Sequence, residues 1–217
     1  MTGAARQYAL CLAPPPARLT REDFVVAESN AAAIELLLRW SAAAEPLLVV
    51  AGPAGSGKTH LLNILAEISG AAGAEGPSRP MIVDDAHRLA PRALLALVEG
   101  ARETGERLAI AGAGDPLGWA QGLRDLETRL GAGARIDLVE PDEALLQSVI
   151  LKLLRDRQLR ARRELAAYAT ARLPKTFSAA RTFVEAIDAA SIAQGAPVGL
   201  RLARTVIANL SEELQPA

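Results

Sequence analysis

The feature that most constrains this chain is the pattern G-x-x-x-x-G-K-T at residues 52–59. It follows an apolar run, Leu47–Ala51, that is typical of a buried strand, and it leads into residues 60–66, which have a helical pattern. In this setting, glycines let backbone N–H groups surround phosphate oxygens, and the helix N-terminus adds its positive dipole end. The sequence therefore predicts a strand–loop–helix unit that binds a purine nucleotide.

Each part of this loop has an expected role. We expect Lys58 to reach the β- and γ-phosphates and the Thr59 hydroxyl to ligate Mg²⁺. The nucleotide-binding residues predicted here are Gly52, Pro53, Ala54, Gly55, Ser56, Gly57, Lys58, Thr59 and His60. The expected cofactors are thus ADP or ATP with Mg²⁺.

A second strand pattern, at residues 81–85, ends in two aspartates. An aspartate at the carboxyl end of a neighbouring parallel strand lies beside the phosphate loop and can hold Mg²⁺, partly through water. Asp84 is predicted to do this. Asp85 stands where many ATPases carry a glutamate that orients the attacking water, and its shorter side chain predicts slow hydrolysis.

Composition excludes several classes of function. The formal net charge is −1, so no global positive field points to nucleic acid, and the 3% aromatic content argues against base-stacking platforms. One cysteine, Cys11, excludes an intramolecular disulfide, and no apolar run approaches the roughly 20 residues of a membrane span. No signal peptide pattern opens the chain. We expect a cytoplasmic bacterial protein, associated with the nucleoid through its partners.

The pattern of elements predicts two structured parts. Strand patterns at residues 47–51, 81–85, 107–111 and 134–139 alternate with helical ones, which favours a parallel α/β sheet. Ser29 or Asn30 is the predicted N-cap of the first helix. Beyond residue 140 the pattern is helical, at about 143–155, 162–171, 178–194 and 199–210, with Asp142, Ser178 and Gly195 as predicted caps. The predicted division is a tail at 1–20, an α/β core at 21–140 and a helical lid at 141–217.

Taken in order, the phosphate loop, Asp84-Asp85, Arg129 and Arg181 with a helical lid resemble an AAA+ ATPase module. More narrowly, the chain resembles the DnaA family of replication initiators, and most closely its truncated Hda-type regulators. The resemblance covers residues 20–217 and includes D-F-V-V at 23–26, G-K-T-H-L-L at 57–62 and L-E-T-R-L at 126–130. It implies an α/β fold with a P-loop parallel-sheet core and an all-helical C-terminal lid.

The same resemblance implies further site residues. Arg129 matches the arginine finger, which reaches a nucleotide bound by a neighbouring subunit and so acts in trans. Arg181 matches the lid arginine called sensor 2, which touches the phosphates of its own nucleotide. Val25 and Val26 match the segment that packs against the adenine. Arginine suits both phosphate roles because its charge is permanent and its planar fork fits phosphate oxygens.

Departures from the family pattern narrow the expected function. Residues 69–80 leave no room for the extra strand and helices that contact single-stranded DNA in the initiator, so we expect a four-stranded sheet without that surface. The sensor 1 region, residues 111–115, lacks the usual polar residue unless Asp115 substitutes for it. The chain ends just after the lid, so recognition of a specific duplex DNA sequence is not expected.

Near the N-terminus, Gln7, Leu10 and Leu12 fit Q-x-x-L-x-L, the form of peptide that binds the sliding clamp of DNA polymerase III. Hda-type proteins carry such a peptide at this end. An extended peptide can place two leucines in an apolar pocket while the glutamine amide makes directional hydrogen bonds. The sliding clamp is therefore a predicted partner.

Residues 155–163 contain five arginines. They are consistent with a solvated turn between lid helices, or with a docking surface for an acidic partner or a DNA backbone. His60 and His87 lie near the phosphate loop and the Asp84-Asp85 pair without metal-like companions, so neither is predicted to be catalytic.

The resemblance implies a regulator of replication initiation. It would bind the clamp, pair with ATP-bound DnaA, and use Arg129 to trigger hydrolysis in that partner; a homodimer is a further expectation. The alternative is an autonomous AAA+ ATPase, such as a helicase loader, that turns over its own ATP. A membrane-recruited protein would need a basic amphipathic helix, which the sequence does not show.

Overall fold

The computed structural model describes Arg21, residues 24–71 and residues 78–213. Helices pack on both faces of a parallel sheet and are followed by a group of helices at the C-terminus. The elements of the first part are α1 (Glu28–Ala42), β1 (Leu47–Ala51), α2 (Lys58–Ala71), β2 (Met81–Val83), a 3₁₀ turn (Ala86–Arg88), α3 (Pro91–Thr104), β3 (Leu108–Gly112), α4 (Pro116–Trp119), α5 (Arg124–Ala132) and β4 (Ala134–Asp137). The second part contains α6 (Glu143–Asp156), α7 (Arg163–Thr170), α8 (Phe177–Gln194) and α9 (Leu200–Glu213).

The predicted parallel α/β sheet is confirmed, and it has four strands within the described residues, in the order β2-β3-β1-β4. The central strands β1 and β3 are buried at every position, as expected for a sheet covered on both faces. The prediction that Asp84 follows a neighbour of β1 is wrong, because β3 lies between β1 and β2. Adjacent strands are about 4.8 Å apart, so Asp84 approaches the loop across roughly two strand spacings.

Several predicted boundaries were wrong by a few residues, each for a local reason. Strand β2 ends at Val83, because Asp85 has φ 53° and ψ 33° and precedes a 3₁₀ turn. Helix α1 begins after Ala27, and the Asn30 side chain accepts a hydrogen bond from the Ala27 N–H. Thr176 caps α8 in place of the predicted Ser178. The predicted caps Asp142 and Gly195 are confirmed.

Three groups of buried apolar side chains hold these elements together. One lies between the sheet and helices α3, α4 and α5, and a second lies between the sheet's other face and helices α1 and α2. The third is formed by α6–α9 alone, around Phe183 and Ile187, which are fully buried. We call residues 24–140 the core and residues 141–213 the lid. No helix in the described part of the chain is long and apolar enough to cross a membrane.

Candidate nucleotide site

The phosphate loop connects the carboxyl end of β1 to the first turn of α2. Gly55 and Gly57 have φ angles of 75° and 98°, which L side chains rarely adopt. The lid imposes a second requirement, since a Cβ on Gly55 would lie 2.7 Å from the Cβ of Thr176. Glycine is therefore needed at position 55 for both its backbone conformation and this close approach.

Lys58 is held close to the loop backbone. Its side chain is 8% exposed, and its Nζ donates to the carbonyl oxygens of Gly52, at 3.0 Å, and Pro53, at 2.7 Å. Burial lowers the pKa of Lys58, and the charges of Asp84 and Asp85 act in the opposite direction. Two neutral carbonyls thus position an ammonium group that can turn to an anion above the loop.

Thr59 and Asp84 are brought together as the sequence predicts. The Thr59 hydroxyl donates to Asp84 Oδ2 at 2.6 Å, and Asp84 Oδ1 accepts from the Asp85 N–H at 2.9 Å. A hydroxyl and a carboxylate at this separation are oxygen ligands of the kind that Mg²⁺ takes alongside nucleotide phosphates and water. Thr59 and Asp84 are therefore the candidate metal-binding residues.

Asp85 is positioned differently from Asp84. Its carboxylate lies 3.3 Å from Arg88 Nη1 and 3.9 Å from His87 Nδ1. Its left-handed backbone conformation turns the chain into the 3₁₀ turn immediately after Asp84. The candidate water-orienting carboxylate is thus engaged with the residues that follow it in sequence.

The lid rests directly on the phosphate loop. The Phe177 N–H donates to the Gly55 carbonyl at 3.2 Å, and a Cβ on Gly57 would lie 3.2 Å from the Phe177 ring. Phe177 also lines a cleft of about 20 Å³ beside the loop. That volume is of the order needed for one water molecule and is much too small for a purine base. A base can enter this cleft only if some of the lining residues move apart, and Phe177 is the lid residue of α8 among them.

The residues around the cleft test whether a phosphate group suits this site. Within the described residues, Ser56 Oγ is buried in the loop without a hydrogen-bond partner. Arg181 Nε, on α8 of the lid, is also buried without a partner. Arg181 lies four residues after Phe177 on α8, hence on the same face of the helix and about 6 Å further along its axis. Buried donors without partners are costly, and phosphate oxygens would satisfy them. The donor set therefore fits an anionic ligand.

The opposite wall of the cleft belongs to the segment before and within the first turn of α1. Phe24, Ser29 and Asn30 line it, whereas Val25 and Val26 do not, and Val26 is 59% exposed. Asn30 fixes this segment, since its side-chain amide donates to the Val25 carbonyl at 2.9 Å.

The predicted loop residue His60 faces the same segment. Its ring meets the Phe24 ring edge-on, with centroids 5.2 Å apart. Phe24 thus contacts α2 as well as the cleft, which links the start of the core to the helix that carries the phosphate loop.

Arg129 lies elsewhere in the core. It is on α5, and its Nη2 is 2.7 Å from Glu99 Oε1 on α3. The two side chains are 28% and 40% exposed.

Asp115, the candidate sensor 1 residue, accepts from the Leu117 N–H at 3.4 Å and lies 3.3 Å from Arg135 Nη1. Its carboxylate therefore caps α4 and pairs with β4.

Sequence reasoning missed four residues at this site, namely Phe24, Asn30, Thr176 and Phe177. Phe24 belongs to the D-F-V-V segment, where the sequence singled out the valines instead. Thr176 and Phe177 carry no recognisable pattern, because their importance comes from a contact between the lid and the core. The predicted clamp-binding residues Gln7, Leu10 and Leu12 lie outside the described residues.

The structure thus combines a phosphate loop after a buried strand, an aspartate beside that loop and a helical lid. The sequence matches no protein-family model and no curated protein. Among solved structures, domain III of the replication initiation protein DnaA from Thermotoga maritima is similar, with a TM-score of 0.74 and 19% identity. That similarity covers 91% of this chain and 98% of the DnaA domain.

Two further structures have the same fold. The RuvB Holliday junction branch migration motor of Thermotoga maritima gives a TM-score of 0.65 at 16% identity, covering 88% of this chain and 72% of RuvB. The replication initiator DnaA bound to AMPPCP and single-stranded DNA gives 0.63 at 18% identity, covering 78% of this chain and 64% of the initiator. The chain thus has the fold that DnaA domain III and RuvB share.

Proposed function

We propose that this chain is a nucleotide-binding regulator of DNA replication initiation that binds the polymerase sliding clamp and stimulates ATP hydrolysis by DnaA. One observation carries the proposal: Lys58, Thr59 and Asp84 converge on a phosphate loop within a fold that matches DnaA domain III over nearly its whole length. The finer assignment, an Hda-type regulator, rests on the resemblance of the quoted motifs.

In this proposal the loop residues hold ADP or ATP. Lys58 contacts the phosphates, Thr59 and Asp84 hold Mg²⁺, and Arg181 reaches the phosphates from the lid. A bound Mg²⁺ would compensate phosphate charge at this position. The cleft is too small for a base and is lined by residues of both the core and the lid, Phe177 among them, which supports coupling of nucleotide binding to the position of the lid. In this proposal the nucleotide acts as a conformational ligand.

Slow intrinsic hydrolysis is part of the proposal, and the positions of two carboxylates support it. Asp85 is engaged by Arg88, and Asp115 by Arg135, so neither carboxylate is directed to a water beside the loop by any contact among the described residues. Both observations support ATP hydrolysis in trans. In this arrangement Arg129 contacts a nucleotide held by DnaA or by a second copy of this chain. Arg129 must then leave Glu99, its partner within the core.

The first experiment measures binding of the ADP-loaded protein to the sliding clamp. We expect micromolar binding that is lost in the Gln7→Ala/Leu10→Ala/Leu12→Ala variant. The matched control, Tyr8→Ala/Cys11→Ala, changes only intervening positions of the same peptide and is expected to bind normally. Equal binding by all three proteins, or by none, would contradict clamp docking.

The second experiment measures ATP hydrolysis by DnaA on clamp-loaded DNA. The protein is expected to stimulate it, and Arg129→Ala to abolish the stimulation, because a finger arginine contributes on the order of 10³-fold or more to hydrolysis. Arg124→Ala, an exposed arginine on the same helix, is the control. Stimulation that survives Arg129→Ala would exclude the finger role.

An autonomous ATPase, such as a helicase loader, is the second candidate. The similarity to RuvB, a motor, favours it. A steady-state ATPase rate without DnaA that disappears in Lys58→Ala would support this candidate and count against a regulator that acts in trans.

A further inference from the structure

The lid contains a large open groove that shares no lining residue with the cleft beside the phosphate loop. It has a volume of about 810 Å³ and lies where the carboxyl end of α6 meets the start of α7. Its lining residues are Ser148, Leu151, Leu154, Arg155, Gln158, Leu159, Arg160, Ala161 and Arg163. We call it the lid groove.

Three arginines, Arg155, Arg160 and Arg163, line the lid groove without an ion pair to any described acidic residue. Arg157, in the same stretch of sequence, is different, because it lies 3.6 Å from Glu185 and 3.8 Å from Asp188 on α8. Arg157 therefore joins the α6–α7 turn to α8, while the three groove arginines are exposed.

Little negative charge lies nearby to balance these arginines. Asp156 is bound by Lys152 at 2.8 Å, and Glu164 is exposed in the first turn of α7. The two parts of the chain also differ in net charge: residues 141–217 contain 11 Lys and Arg and 8 Asp and Glu, a net +3, whereas residues 1–140 contain 13 and 17, a net −4. The positive charge of this weakly acidic protein is thus concentrated in the part that contains the groove.

The floor of the lid groove is apolar. Leu154 is 1% exposed, and Leu151 and Leu159 are half-buried beside it. The described residues that line the groove include no aromatic one, so they offer no surface for stacking nucleic acid bases. Arginine forks match carboxylates with two parallel hydrogen bonds, and leucines at the base of the groove match apolar side chains.

We propose that the lid groove binds an acidic, amphipathic segment of a partner protein. The carboxylates of that segment pair with Arg155, Arg160 and Arg163, and its apolar side chains cover Leu151 and Leu159. A DNA or RNA backbone would satisfy the arginines and leave the leucines uncovered. The assignment depends on the lid alone and stands whether or not the protein binds the clamp or DnaA.

The test uses a fluorescein-labelled helical peptide of about 16 residues, with leucines along one face and glutamates beside them. We expect the full chain to bind it at micromolar concentration by fluorescence anisotropy. Arg155→Glu/Arg160→Glu/Arg163→Glu should weaken binding by at least about tenfold, because like charges then face each other across the contact. The corresponding triple lysine variant should retain most of the binding.

Two controls separate this site from general charge attraction. Arg39→Glu/Arg102→Glu/Arg201→Glu makes the same change of charge at exposed positions outside the lid groove and should leave binding within about twofold. A peptide with serine in place of leucine should bind clearly more weakly.

Each of several results would overturn the proposal. These are no peptide binding, an equal loss in the control variant, binding that ignores the leucines, or groove-dependent binding of single- or double-stranded oligonucleotides that exceeds peptide binding. Self-association that disappears in the groove variant would identify a second copy as the occupant instead. Circular dichroism and thermal melting of each variant verify that the fold is intact.

Discussion

The phosphate loop and the lid groove both present cations to an anion, but they hold those cations differently. Lys58 is buried and donates to two backbone carbonyls, whereas Arg155, Arg160 and Arg163 are exposed around an open groove. Arg129 is intermediate, since it is half-buried and paired with Glu99. The two sites therefore differ in how far the positions of their cations are fixed before a ligand binds.

At the phosphate loop, the backbone fixes where an anion can lie. The glycine conformations and the carbonyls around Lys58 already hold the loop in place, so little conformational entropy is lost when a ligand binds. Shape and charge can then both contribute to affinity. In the lid groove, arginine side chains must lose rotamer freedom on binding, and water screens their charges. The first site is therefore expected to be specific and tight, and the second adaptable, weaker and sensitive to salt.

The largest expected effect is that of Lys58→Ala on nucleotide binding. Lys58 is the buried charge proposed to contact phosphate, so its removal should weaken Mg-ADP binding by about 100-fold or more, measured by titration calorimetry. Peptide binding in the lid groove should not change, because the two sites share no residue. Lys152→Ala, also a lysine but on α6, is the control. If the ADP affinity of Lys58→Ala stayed within about threefold of the wild type, Lys58 would not be a phosphate-binding residue of this loop.

The next effect distinguishes the two sites by salt. An increase from about 50 mM to about 300 mM NaCl should weaken the acidic peptide by roughly tenfold and Mg-ADP by less than about threefold, since exposed charges are screened more than buried ones. Sodium sulfate at matched ionic strength is the control for effects specific to chloride. Similar salt dependences at the two sites would mean that their cations are equally exposed to solvent when ligands bind.

The sequence predicts the phosphate loop and its setting because these are local. Residues 47–66 contain the positive-φ glycines, an apolar strand of five residues and the start of a helix. Four strands also follow from the pattern, although their order does not, because strand order is set by packing. For that reason nothing in the sequence pattern indicates that β3 lies between β1 and β2.

The contacts that the sequence does not predict join distant parts of the chain. Thr176 and Phe177 reach Gly55 and Gly57 only because the lid folds back over the loop, and Glu99 meets Arg129 only because α3 and α5 pack side by side. The sequence predicts Ser29 or Asn30 as the N-cap of α1, but Ala27 takes that position and the Asn30 side chain accepts a hydrogen bond from its N–H. The roles of the site residues and the boundary near residue 140 stay predictions.

Asp142 connects the lid to the core. It is the N-cap of the first lid helix, and it lies beside Ser29 of the core. A hydrogen bond from the Leu145 N–H, then one from Ser29, lowers the pKa of Asp142 below its ordinary value of 3.8. Because the folded-state pKa is depressed, this stabilisation is present above the unfolded value and is lost as pH falls through the folded one.

Asp142→Ala should therefore lower the free energy of unfolding by about 1 kcal/mol at pH 7, a Tm shift of about 2–4 °C. Asp142→Asn keeps a capping oxygen without a titrating group, so its Tm should stay close to that of the wild type at pH 7. As pH falls from the ordinary value of 3.8 through the lower folded-state pKa, protonation of Asp142 should progressively remove the wild type's advantage over Asp142→Ala. Thermal melting across this range measures both effects, and a constant difference between wild type and alanine variant down to pH 2 would contradict the assignment.

The smallest expected effect concerns the intermediate cation, Arg129. A half-exposed ion pair contributes up to about 1 kcal/mol to stability. Glu99→Gln should therefore leave the fold intact and raise the population of unpaired Arg129 by at most about fivefold. Modification of Arg129 by phenylglyoxal, followed by mass spectrometry, should then be faster by up to that factor. Stimulation of DnaA should rise in parallel, because Arg129 no longer has to leave Glu99 to reach a partner's nucleotide.

Glu103→Gln, one turn further along α3 and exposed, is the matched control for this change. The two measurements have different meanings when they disagree. Faster modification without greater stimulation would show that Glu99 holds Arg129 but that the finger role is wrong. If Glu99→Gln and Glu103→Gln behave alike in both, Glu99 does not restrain Arg129, and in solution that arginine is as available as those of the lid groove.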